Sequence, residues 1–90
     1  MPHSAPPPPA EIAALKGLAY LADSPEALGR FLLQSGMAAD SLRARAADPD
    51  FLAAVMDFLL ADDDLLTGFC AAESLDPKTV HLLRRDLPGG

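Results

Sequence analysis

Tryptophan is missing from this chain, tyrosine and cysteine occur once each, and no lysine or arginine lies between residues 46 and 77. Each scarcity closes off something. A lone Cys70 has no partner for an internal disulfide, and two histidines, His3 and His81, leave too few ligands for a buried zinc site. A reducing cytoplasm suits that usage. Aromatic residues are only 6% of the chain although half of it is hydrophobic, so the apolar content is mostly alanine and leucine. That composition builds helix on helix rather than β-strands. No apolar run approaches the ~20 residues that span a bilayer. The N-terminus lacks the basic region and apolar run of a signal peptide. A soluble, cytoplasmic protein with no membrane contact is the expectation.

Proline is not scarce, but it is segregated. Five of nine prolines fall in the first nine residues, where Pro6 to Pro9 suit a short polyproline II stretch. Residues 1–9 are therefore read as a disordered proline-rich tail and residues 10–88 as a single helical domain. A domain of this size has a stability of no more than roughly 5 kcal/mol.

Three of the remaining prolines follow a capping residue: Ser24-Pro25, Asp48-Pro49 and Asp76-Pro77. Each pair opens a segment of helical period. The cap's side-chain oxygen would accept an orphan backbone N–H, and proline at the first helical position gives up an N–H that has no partner there. The intervals of 24 and 28 residues are unequal, which favours three helices begun by the same physics over an internal repeat.

The fold expected is all-α, a compact bundle of five to six short helices around a buried central one. Helix 1 spans Ala10 to Ala22 with Ile12, Leu15, Leu18, Ala19 and Ala22 on its apolar side. Helix 2 starts at Pro25, carries Leu28, Phe31, Leu32 and Ser35 in one stripe, and ends at Gly36, a left-handed terminator. Helix 3 is short, Ala39 to Ala46, anchored by Leu42. Helix 4, about residues 49–60, is apolar nearly all round and is the central element. Its one charge beyond the first turn, Asp57, needs a hydrogen bond or a cation; Arg30, Arg43 or Arg45 are the candidate partners, and a structural ion pair is expected over a catalytic acid. Asp62 to Asp64 open helix 5 as cap and dipole partners, and Pro77 opens helix 6.

Net charge is −6. Residues 1–45 balance four acids against four bases, residues 46–77 hold eight acids and no base, and residues 78–90 hold Lys78, Arg84 and Arg85 against Asp86. Such an acidic surface argues against generic nucleic-acid binding. Helix 6 is the exception. At 100° per residue Lys78, His81 and Arg85 share one face, opposite Val80, Leu83 and Leu87. Lys78, His81, Arg84 and Arg85 are the candidate contacts for a partner, or for phosphates if helices 5 and 6 act as a helix-turn-helix pair.

Two further constellations carry alternative chemistry. Asp40-Ser41-Leu42 is similar to the serine motif of acyl and peptidyl carrier proteins, which would make Ser41 a phosphopantetheine site. Asp48-Pro49 stops the following helix too soon for the long recognition helix those carriers use. Cys70 sits in an apolar run, where packing outweighs nucleophilic chemistry, and His81 is its only local base.

The chain resembles a family of small, all-helical alphaproteobacterial proteins of unknown function. The resemblance lies in Ala22-Asp23-Ser24-Pro25 through Gly29-Arg30-Phe31-Leu32, in Gly36 with Asp40 to Arg43, in Asp48-Pro49-Asp50-Phe51-Leu52, and in Asp57-Phe58-Leu59-Leu60 with the aspartates after it. It implies fold and compartment, and no activity.

No catalytic residue, metal or cofactor is expected. The function expected is a non-enzymatic protein-interaction module, using the acidic surface or the helix 2–helix 3 region. The alternatives are a nucleic-acid-binding regulator through helix 6 and a carrier protein modified at Ser41. Leu21, Leu33, Leu60 and Tyr20 have no assigned core position, and a surface patch of them would serve a homodimer.

Overall fold

The computed structural model describes residues 9–89. The proline tract before Pro9, and His3, lie outside them. Six α-helices follow one another: α1 (Ala10–Ala22), α2 (Pro25–Ser35), α3 (Leu42–Arg45), α4 (Pro49–Leu60), α5 (Asp63–Glu73) and α6 (Pro77–Arg85), with a 3₁₀ turn at Ala39–Ser41 leading into α3. No strand occurs among the described residues. The chain is an all-α bundle.

Of the four starts where a side-chain cap is expected, three follow the capping logic and one does not. Asp48 accepts the Asp50 N–H at 2.9 Å, and Asp76 accepts the Lys78 N–H at 2.8 Å. Asp62 accepts two, from Asp64 at 3.0 Å and Leu65 at 3.2 Å. Ser24 does not cap. Its backbone is extended before Pro25, but its hydroxyl accepts no N–H, and only its carbonyl takes part, receiving Leu28 N–H at 2.9 Å. The side-chain caps are therefore three aspartates, while all three internal helix-starting prolines stand at the first turn as expected.

Helix ends use the left-handed region twice. Gly36 sits at φ 71°, and Met37 N–H reaches back to the Leu32 carbonyl at 3.1 Å, closing a Schellman turn. Ser74 does the same at φ 55°, with Leu75 N–H on the Cys70 carbonyl at 2.9 Å. A serine there lacks glycine's freedom, so the turn carries some strain.

α4 is the centre. Phe51, Leu52, Ala53, Val55, Met56, Phe58 and Leu59 are all buried, and α1, α5 and α6 pack on it. Burying each large side chain in that set contributes roughly 1.5–3 kcal/mol, which the ordering entropy of the chain largely offsets. Beyond its first residue, Pro49, only a narrow stripe of α4 stays open: Asp50, Ala54 and Asp57, continued by Ala61 at its C-cap.

The largest correction concerns α1. Its buried face is Ala10, Ala13, Ala14, Gly17 and Leu21. Ile12 and Leu15, expected inside, remain 44% and 37% exposed. The cause is backbone proximity to α4. A Cβ on Gly17 would lie 2.7 Å from Leu59 Cδ1 and 3.6 Å from Val55 Cγ1. The large side chains of α4 need a small-residue face opposite them, and close packing rewards that alternation over the burial of two larger residues on α1. Leu21 fills the end of this face completely. Tyr20 stacks edge-on against Phe69 at 5.9 Å, over Gly68, where a Cβ would overlap its hydroxyl.

α2 sits differently. It packs on α1, and reaches α4 through side chains: Phe31 meets Phe51 at 5.8 Å and Phe58 at 5.3 Å, both edge to face. The 3₁₀ turn and α3 contain no buried residue, and Leu42 only leans on the core.

Candidate functional site

The four candidate residues on α6 separate into two kinds. Val80, Leu83 and Leu87 are buried, as their period requires, which turns Lys78, His81 and Arg85 to solvent. Arg84 turns inward instead. Its Nε donates to Asp57 Oδ1 at 2.7 Å and its Nη2 to Oδ2 at 3.1 Å, a bidentate pair. Its Nη1 also donates to the Leu87 and Pro88 carbonyls at 3.3 and 3.0 Å. The side chain is 13% exposed. The Asp57 carboxylate raises the Arg84 pKa still further. Arg84 is thus a clasp between α4 and the C-terminal turn. It is also the cation for Asp57, in place of Arg30, Arg43 or Arg45: the hydrophobic face of α6 brings Arg84 alongside α4, a closure over 27 residues that local sequence does not report.

The arginines expected at Asp57 are engaged elsewhere or free. Arg30 pairs with Asp62 at 3.4 Å and lies over the Phe58 ring at 5.9 Å. Arg45 pairs with Asp48 at 2.9 Å and lies over Phe51 at 6.0 Å. Arg43 is exposed. Among the described residues Lys78 and Arg85 make no ion pair, and between them stands Leu82, 56% exposed. Leu82 went unnoticed in the sequence because it lies outside the buried period of α6. Its signal was its place, four residues after Lys78 and three before Arg85.

A concavity lies between α2 and α4. Because those helices touch through rings and not through their backbones, a groove of about 410 Å³ remains between them. Phe31 and Phe58 form its apolar floor, Ala54 and Ala61 leave room on the α4 side, and Gln34, Ser35 and Asp57 supply its polar rim. Among the described residues Asp57 is the only ionisable group lining it, and its side chain is 58% exposed. Both of its oxygens are already held by Arg84, so the groove presents a fixed carboxylate and no second group with which to exchange a proton.

Other sequence candidates stay apart from the groove. Ser41 is half-buried at the end of the 3₁₀ turn, and the helix after it runs only four residues. Cys70 is packed in the core, where burial first and the Asp76 charge second push its thiol pKa up, which disfavours the thiolate. Among the described residues no group of three or more His, Cys, Asp or Glu is placed to hold a metal ion. None of their helices is long and apolar enough to cross a membrane. Of the suggested dimer patch, Leu21 is fully buried and Tyr20 and Leu60 pack against the core, so Leu33 alone stands out.

A family model described as a protein of unknown function (DUF3572) matches residues 8–90. No curated protein and no solved structure matches the chain.

Proposed function

We propose that this chain, which belongs to the DUF3572 family of proteins of unknown function, is a non-enzymatic interaction module whose α2–α4 groove receives a helix of a partner protein. The observation that carries the reading is the groove itself: an aromatic floor, alanines at the wall and a polar rim, open at the surface between α2 and α4. A groove with small residues on one wall lets a partner helix approach closely and seat one or two apolar side chains on the floor. The single fixed carboxylate favours recognition over chemistry. A reducing cytoplasm belongs to the same proposal, supported by the lone buried thiol. The alphaproteobacterial origin rests on the sequence resemblance.

Affinity capture with the wild-type chain and with Ala54→Arg tests it. Ala54 is exposed on α4, so the new side chain fills the groove without entering the core. The expected result is a protein retained by the wild type and lost with the variant, at unchanged helicity. Equal retention by both overturns the reading.

A further inference from the structure

The open stripe of α4 and the open stripe of α6 are written in the same spacing with opposite sign. On α4, Asp50 is followed after four residues by Ala54 and after three more by Asp57. On α6, Lys78 is followed after four residues by Leu82 and after three more by Arg85. All six are exposed or, for Asp57, exposed and held by Arg84. On a helix that spacing puts the outer pair two turns apart, about 10.5 Å along the axis, with the middle residue between them on one face. Set side by side in the same direction, the two series coincide: Lys78 with Asp50, Leu82 with Ala54, Arg85 with Asp57.

We propose that the groove between α2 and α4 takes α6 of a second copy of this chain, Leu82 seating beside Ala54 on the Phe31–Phe58 floor. The inference rests on the groove reading above and supplies its occupant. Within one chain the two stripes cannot meet. α6 faces its own α4 with Val80 and Leu83, and the Arg84–Asp57 pair fixes that orientation with Leu82 turned away. Small opposite large is the packing that lets helices approach, and alanine at 54 is the small partner a leucine needs. Lys78 and Arg85, which have no ion pair among the described residues, gain one each, while Asp57 retains lone pairs beyond its two bonds to Arg84. The stripes differ from each other, so the contact is heterologous. It joins copies head to tail, in a ring or an open chain, rather than in a two-fold pair.

That asymmetry yields a decisive experiment by sedimentation velocity on the full 9.4 kDa chain. The wild type should associate with rising concentration. Leu82→Glu spoils one stripe and Ala54→Arg the other, so each variant alone should be monomeric, with affinity weakened roughly tenfold or more. Mixed in equal amounts, they retain one intact stripe each and should form a one-to-one dimer that neither forms alone. Lys78→Glu with Asp50→Lys repeats the test by charge, each alone weakened and the mixture restored, should Leu82→Glu fail to fold. A wild type that stays monomeric overturns the inference, as does association that survives Leu82→Glu or a mixture that stays monomeric. The groove reading then stands or falls separately. If Ala54→Arg still abolishes capture of another protein, the groove binds and only its occupant was misassigned. If it does not, both fail.

Discussion

α1 and α2 are neighbours in sequence and similar in length, yet they meet α4 in opposite ways. α1 approaches backbone-close, across Gly17 and three alanines, and leaves no gap. α2 stands off and spans the distance with Phe31, whose ring meets Phe51 and Phe58. Small residues make a joint that is tight and buried. Large rings make one that can bridge a space without filling it, and the unfilled part is the groove. The supports around the rings are modest: the exposed Arg30 and Arg45 lie over Phe58 and Phe51, and each also pairs with a half-buried aspartate. Such surface pairs contribute about 0–1 kcal/mol each. The α2–α3 flank therefore has less holding it than the core of α1, α4, α5 and α6.

The contrast is broken or sharpened most by core against flank truncation. Phe69→Ala should lose about 3–5 kcal/mol, close to the whole stability, because that ring is fully buried among α1, α4 and α5. Leu42→Ala, half-buried under the flank, should lose about 1 kcal/mol in the same denaturant titration. Equal losses would erase the distinction between the two regions.

Next in size is the Arg84 clasp. Arg84→Ala removes a bidentate partner of Asp57 and two bonds to the C-terminal carbonyls. Since Asp57 can be resolvated, the cost should be about 1–2 kcal/mol. The same variant should leave the backbone amides of α2 unchanged in hydrogen exchange, because the clasp belongs to the core side.

The caps make a smaller and cleaner pair. Asp76→Ala should cost about 1 kcal/mol, whereas Ser24→Ala should fall within about 0.5 kcal/mol of wild type, because only Asp76 accepts an N–H through its side chain. A Ser24→Ala loss as large as that of Asp76→Ala would show that the hydroxyl caps α2 in solution.

The smallest effect is a pH dependence at α5. The Leu65 N–H above all, with smaller help from the Asp64 N–H and Arg30, holds the Asp62 carboxyl below its ordinary value of 3.8, against an opposing desolvation second only to the Leu65 bond. A depressed pKa means the folded state favours the charged form. That contribution is fully present above pH 3.8 and is lost as pH falls through the lower, folded value. Asp62→Asn, which still caps but does not titrate, should flatten this part of an acid unfolding profile. An unchanged profile would remove Asp62 as its source.

Much of the fold was legible in the chain. Helix boundaries followed from proline and aspartate starts and from Gly36, because those signals are local: a fixed φ, a missing N–H, an acceptor within reach. The site was legible only in pieces. Lys78, His81 and Arg85 were found by period. Arg84 was grouped with them because sequence order cannot show a contact 27 residues away. Leu82, Ala54 and the α2–α4 gap were missed for the same reason, since a groove belongs to two helices and to neither alone.

By itself, then, the sequence determined four helix starts, at Pro25, Pro49, the Asp62 cap and Pro77, the central place of α4, and an acidic chain with one basic end. The tertiary structure decided which face of α1 is inside, which arginine answers Asp57, and where a gap stays open. Capping and periodicity act within a few residues and can be read along the chain. The choice between two apolar faces on an alanine-rich helix, and the stand-off of α2, depend on the volumes of side chains brought together from far apart, and only close packing settles them.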